Sequence, residues 1–519
     1  MVHDLSWLRV FALAFIVLCT PMLCCAEDPA NGGSPTAAVT AQIDAIFDQE
    51  WQAAKIAPQV ADDAMFLRRA TLDLTGLIPT VGEVRGFLND SRPDKRAKLI
   101  ADLLRRPRHA RLMAGVWRDV LLPHNTPETA AAAFEIWLQG KFRDNVAYDA
   151  LVREILTAQG TSNQSVPVVF FASNHTKPEE LAASASQAFL GLQVRCAQCH
   201  DHPFTQWKQA DFWGFAAFFA RTQGPSNVGE LVPVADRADG EVRHPKTLKV
   251  LLPKPMDGPE MAATTSEPRR AVLARWVTSG ENPYFARAAV NRAWWVLFGR
   301  GLVQPVDDLG PHNPSTHEAV LTLLATDFVQ HDFNLRRTLE IIAGTRAYQT
   351  SSTPHQPGTA ADPDENYATM AVRSLSPQQV YDALLQAAGE RESLERPGPE
   401  AVAERRAFLA QLDAPTRQPT EYQGGIPQAL MLLNGPLVAR LTNPTTGDFL
   451  AALIDSPFLK DEQRVETLFL ATLSRFPRVE ERERMQKLLS SKTTSAARAQ
   501  TLGDIHWALL NSTEFVLNR

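Results

Sequence analysis

Cysteine is scarce in this chain, five among 519 residues, and Cys19, Cys24 and Cys25 fall close to the N-terminus. Scarcity at that level excludes a fold stapled by several disulfides, which would space its cysteines to close long loops. An excess of basic charge is lacking too: 52 Lys plus Arg stand against 58 Asp plus Glu, a formal net charge of -6. No nucleic-acid partner is expected, because a phosphate backbone calls for a basic stripe or a basic total. Long hydrophobic runs are missing as well. Val10 to Leu18 (VFALAFIVL) is uninterrupted and apolar but too short to cross a bilayer. Nor does any repeat period stand out. What remains, 45% hydrophobic and 21% charged, is the composition of a globular chain of two or three domains. Its 36 prolines predict frequent helix breaks and long ordered connections.

The short apolar run reads as the core of a secretion signal. Arg9 precedes it and the small-residue site Cys24-Cys25-Ala26 follows, so cleavage is expected after Ala26. The mature protein is then exported, periplasmic or extracellular, with no transmembrane segment beyond the signal. Cleavage leaves Cys196 and Cys199 as the only cysteines.

Those two stand in Cys196-Ala197-Gln198-Cys199-His200, followed by Asp201-His202-Pro203-Phe204. The spacing is that of covalent haem attachment: two thiols add to the porphyrin vinyl groups and the adjacent imidazole ligates the iron. One haem c is expected, anchored by Cys196 and Cys199 with His200 as an axial ligand. Phe189 and Leu192 before the motif, and Trp207, Phe212, Trp213, Phe215, Phe218 and Phe219 after it, offer an apolar wall between which the motif would be wedged. The same stripe serves equally as ordinary core. Two other chemistries stay open. Zinc could be held by Cys196, Cys199, His200 and His202, with His175 or His124 from a distant segment. The cysteines could instead close a small disulfide. For a second axial ligand, His202 lies too near His200 in the chain, which leaves Met65, Met113, His109, His124 and His175 as candidates.

Elsewhere the pattern is helical. Ile43, Ile46, Phe47 and Trp51 fall at helical spacing, Asp62 to Leu74 runs to a stop at Thr75-Gly76, and Thr80-Val81-Gly82-Glu83 is a capping box. Lys95 to Leu104 and His109 to Leu121 follow, separated by Pro107. Glu230 to Val234 and Thr247 to Leu252 are short β-prone runs in a Pro- and Gly-rich stretch. Later helices are expected at Arg269 to Val277, Tyr284 to Phe298, Thr316 to Val329, Leu335 to Ala343 and Ser376 to Ala388. Three more close the chain, at Glu462 to Leu473, Glu480 to Leu489 and Ala496 to Leu510.

LRRATLDLTGLIPTVGEVRGFL from Leu67 and AFLGLQVRCAQCHDHPFTQWKQADFWGFAAFFA from Ala188 resemble the secreted planctomycete-type domain of unknown function 1549, also labelled cytochrome-c-like. ARWVTSGENPYFARAAVNRAWWVLFGRGLVQPVDDLG from Ala274, LRRTLEIIAGTRAYQTSS from Leu335 and IPQALMLLNGPLVARL from Ile426 resemble its usual partner, domain of unknown function 1553. The expected plan is a signal peptide over 1–26, a linker over 27–38, a helical domain over 39–223, a strand-containing insert over 224–266 and a second helical domain over 267–519. The fold class is mainly α, two helical domains joined by a small β-containing insert.

In the second part, Asn291, Arg292, Trp294, Trp295, Asp307, Asp308, His312, His317, Arg346 and Tyr348 form a polar and aromatic set. Carboxylates beside imidazoles are materials for acid-base or metal-assisted hydrolysis. The plainer reading places Asp307-Asp308 in a turn and pairs Arg292 with a buried carboxylate. Gly299-Arg300-Gly301 is no phosphate loop, since it lacks the following lysine. The function expected is an exported c-type haem protein in electron transfer or redox chemistry, with a redox partner protein. Alternatives are a zinc-binding hydrolase or structural domain, and an extracellular scaffold or glycan-interaction protein with a Cys196–Cys199 disulfide.

Overall fold

Local signals set the helix ends. The Thr80 hydroxyl accepts from Glu83 N–H while the Glu83 carboxylate accepts from Thr80 N–H, so two orphan donors of the Val81–Leu88 helix are satisfied together. Ser376 and Gln379 repeat the arrangement ahead of Pro377–Ala387, whose proline occupies the first helical position. Gly299 closes Phe285–Phe298 in the left-handed conformation that glycine adopts without a Cβ penalty. Pro107 opens the Pro107–Leu121 helix rather than standing outside it, because its missing N–H is one of the orphans in any case.

The computed structural model describes residues 36–261, 267–353, 366–390, 398–412 and 431–519. The expected signal, Cys19, Cys24, Cys25, most of the linker and the end of the insert lie outside the described residues. The protein is mainly α, with short two-stranded antiparallel pairs. No described helix is long and apolar enough to cross a membrane.

The strands of the insert sit slightly away from the β-prone runs. Ala235–Asp236 pairs with Thr222–Gln223, and Val234 bridges back to Gly160. Val250–Leu251 pairs with Val242–Arg243. Two arginines of the Arg269–Val277 helix clamp these pairs: Arg269 binds both Glu241 oxygens, and buried Arg270 binds both Asp236 oxygens and the Ala158 carbonyl.

Residues 36–519 form one compact unit. Phe47, Trp117, Phe170, Trp294 and Leu339 share one apolar core, and a second core around Leu384, Leu468 and Phe515 takes in Leu72 and Ile78 from the Asp63–Thr75 region. That helix also buries Arg68, Arg69 and Asp73. Arg69 donates to the carbonyls of Tyr348, Thr350 and Arg519 and to the Ser352 hydroxyl, while Arg68 donates to the carbonyls of Thr472 and Phe515. Burial lowers both guanidinium groups to about 10, which leaves them charged at neutral pH. Carbonyl dipoles therefore solvate these cations in place of water, and in doing so tie one helix to three distant stretches, around 348–352, at Thr472 and over 515–519.

Candidate functional site

The motif occupies the connection between the Pro178–Ala185 and Gln209–Ala216 helices. A wide helical turn over Ser186–Leu190 ends at Gly191, and Arg195–Gln198 forms a single tight turn. Ala197 is buried and seats that turn, whereas Cys196 and Cys199 are exposed, unpaired thiols. The Gln198 carbonyl accepts from the Gln209 amide and the Trp213 indole, at 2.9 and 3.0 Å. Asp201 accepts from the Gln209 N–H at 2.9 Å, so the start of the next helix holds the end of the turn.

His200 is exposed, and its Nδ1 lies 2.8 Å from the Asp201 carbonyl. A carbonyl can only accept, so Nδ1 carries the proton and Nε2 keeps its lone pair for a metal. His202 differs. Its Nδ1 accepts from the Phe204 N–H at 3.3 Å, and its backbone N–H donates to the Trp207 carbonyl at 2.8 Å. Desolvation, assisted by nearby His312, lowers its pKa and favours the neutral ring.

Several sequence expectations change here. The motif is not wedged between apolar walls: Phe189, Leu192, Phe212, Phe215, Phe218 and Phe219 are interior core, with Trp207 nearly as buried. Helical periodicity brought them inward, as it does any apolar stripe. The set Cys196, Cys199, His200 and His202 is not assembled around a point. Among the described residues, no group of three or more His, Cys, Asp or Glu side chains is arranged to hold a metal ion. His175 bonds the Ser226 carbonyl and His124 lies on an exposed loop. Of the other axial candidates, His109 bonds the Leu74 carbonyl, Met113 is core, and the Met65 sulfur contacts the Ser351 hydroxyl.

The polar set of the second part divides. Tyr348 donates to Asp73, Arg346 pairs with Asp48, and His317 lies among Phe47 and Tyr367 with Nε2 3.0 Å from Glu50. Arg292 donates to the Ala188 carbonyl, not to a carboxylate. Asn291 binds the Val303 and Val306 carbonyls and holds the loop that carries Asp307, Asp308 and His312. That loop reaches the motif's approach segment. Leu309 N–H donates to the Gly191 carbonyl at 2.7 Å, and Asp307 accepts from the side chains of Gln193, at 2.8 Å, and Gln187. Asp308 and His312 pair at 3.0 Å beside them.

Gly191 shows how close this approach is. Its φ is +64°, and a Cβ there would lie 3.0 Å from Leu309 Cδ1 and 3.3 Å from the Ala288 Cβ. Gly191→Ala is expected to cost about 2 kcal/mol, combining left-handed strain with crowding. Urea denaturation measures it, and a loss below about 0.5 kcal/mol, the ordinary size of a surface substitution, would remove the importance given to this contact.

Fold and loop together define a mainly α protein that presents a Cys-x-x-Cys-His turn to solvent where its two parts meet. Residues 42–224 match the family described as PSCyt2, protein of unknown function (DUF1549), and residues 269–407 match PSD1, protein of unknown function (DUF1553). The two matches stand in tandem along the chain. No curated protein and no solved structure matches it.

Proposed function

We infer that the chain is an exported c-type haem protein acting in extracytoplasmic electron transfer or redox chemistry. The observation that carries this reading is one turn offering two free, exposed thiols three residues apart and an adjacent imidazole whose Nε2 is unoccupied. The donor chemistry fits a haem; the buried aromatics do not form an open wall for it. Cys196 and Cys199 would hold the haem through thioether bonds, each S–H adding across one vinyl C=C so that one C–S and one C–H bond form with no leaving group. Once bound, the haem supplies a one-electron iron couple. The Asp201 carbonyl orients His200 and makes its Nε2 a better donor, while Gln209 and Trp213 hold the turn through Gln198. A solvent-facing turn suits exchange with a partner protein better than chemistry in a sealed pocket. Export is read from Val10 to Leu18 and Ala26.

Expression in a host with haem-maturation machinery tests the reading. The expected product has the mass of the mature chain plus one intact haem and keeps its visible absorbance through acid-acetone extraction. Cys196→Ser with Cys199→Ser should abolish both signals while far-UV circular dichroism stays unchanged. A colourless protein overturns the proposal, whether its mass is unmodified, short by two protons, or accompanied by stoichiometric zinc.

A further inference from the structure

The turn is held from both sides of the molecule. Gln187 and Gln193 flank the Gly191 bend that leads into Cys196, and a single carboxylate of the second part, Asp307, receives an amide donor from each. The Leu309–Gly191 backbone bond fixes the same bend from the same loop, and Asn291 anchors that loop in its own part. Among the described residues Asp307 makes no ion pair; amides neutralise none of its charge. The contacts from Asp307 and Leu309 to the bend each join residues more than 100 positions apart, which makes the arrangement a product of the tandem rather than of either part.

We propose that the haem site is shared between the two parts, with Asp307 as a positioning residue that fixes the approach to the Cys196–His200 turn and sets an uncompensated negative charge beside it. The inference rests on the haem reading above. A nearby negative charge stabilises ferric over ferrous iron, so it lowers the reduction potential.

Spectroelectrochemical titration of the full haem-loaded protein tests this. Asp307→Asn preserves shape and removes the charge; the midpoint potential should rise while covalent haem is retained by intact mass. Asp307→Glu should restore a potential close to the parent. Glu267→Gln, at an exposed pair with Arg275, should leave it unchanged. Gln193→Ala is the second variant, at an exposed position where folding is not at stake, and should broaden the ferric electron paramagnetic resonance signal as the turn loses one anchor. Unchanged potential and unchanged resonance in Asp307→Asn and Gln193→Ala, with haem in place, overturn this inference alone. If Asp307→Asn does not fold, the Gln193→Ala resonance decides. A parent protein without haem overturns this inference together with the reading beneath it.

Discussion

Replacing Asp73 by alanine should destabilise the protein by about 3–5 kcal/mol, the range for breaking a buried ion pair from one side. The carboxylate is buried and accepts two bonds from Arg373, at 2.8 and 2.7 Å, one from the Tyr348 hydroxyl at 2.8 Å and one from the Asn518 amide at 2.7 Å. Its removal leaves the buried Arg373 guanidinium without a counter-charge and two further donors without an acceptor. The loss falls where the chain closes on itself, since Arg373–Ser374 pairs with Leu517–Asn518 at the C-terminal end. Arg373→Met in the same background should recover a large part of the loss, because an apolar pair replaces an unpaired charge. Urea denaturation of the two single variants and the double variant forms the cycle. A loss below about 1 kcal/mol for Asp73→Ala, or a double variant as unstable as the sum of the singles, would deny this network its role.

The parts of this architecture that depend on adjacent residues were legible in the sequence. Thr80 with Glu83, Ser376 with Pro377, and Gly299 announce helix ends because a cap and its partner lie within four residues. Glu128–Arg143 gave no comparable signal: its alanine run carries no apolar stripe, and Phe134 and Leu138 alone are buried. Pro178–Ala185 does carry one, a proline at the start with Glu179 and Glu180 in the first turn. Strand pairing was out of reach, because Val234 finds its partner at Gly160 and Ala235–Asp236 at Thr222–Gln223. At the site, the cysteines and His200 were readable because ligand spacing is local. Whether Phe212 and Phe215 faced a cofactor or the core was not, since periodicity gives a face and never says what covers it. Asp307 reads as a turn residue and lies in one, but Gln187 and Gln193 carry no sequence mark that would join them to it.

The protein should lose stability on acidification between about pH 6.5 and pH 4, ahead of the ordinary carboxylate range. Burial holds His506 and His109 down to about 4, against an ordinary value of 6.5. His506 is fully buried with both ring nitrogens unpartnered, beside Phe449, while His109 bonds the Leu74 carbonyl and faces the repulsive Arg336. The unfolded chain takes up these protons first as pH falls, so each histidine opposes folding increasingly from 6.5 down to 4 and no further below that. A shift of that size corresponds to about 3 kcal/mol per residue at the acid end, and two such groups rival a typical total stability of about 5–15 kcal/mol. His317 is also held down to about 4 by burial, but protonation would bring it an ion pair with Glu50 3.0 Å away, so it opposes folding less. Carboxylates with lowered values, such as Glu481 at about 2 beside Arg475, act the same way only at lower pH and do not fill this window. Thermal melts across the range should show the midpoint falling below pH 6.5. His506→Leu should raise it at neutral pH, by removing a buried unpartnered donor worth about 1–3 kcal/mol, and should flatten the acid limb. A midpoint that holds level from pH 6.5 to 4.5 would mean that these rings are protonated in the folded protein, and that the core around His506 admits water.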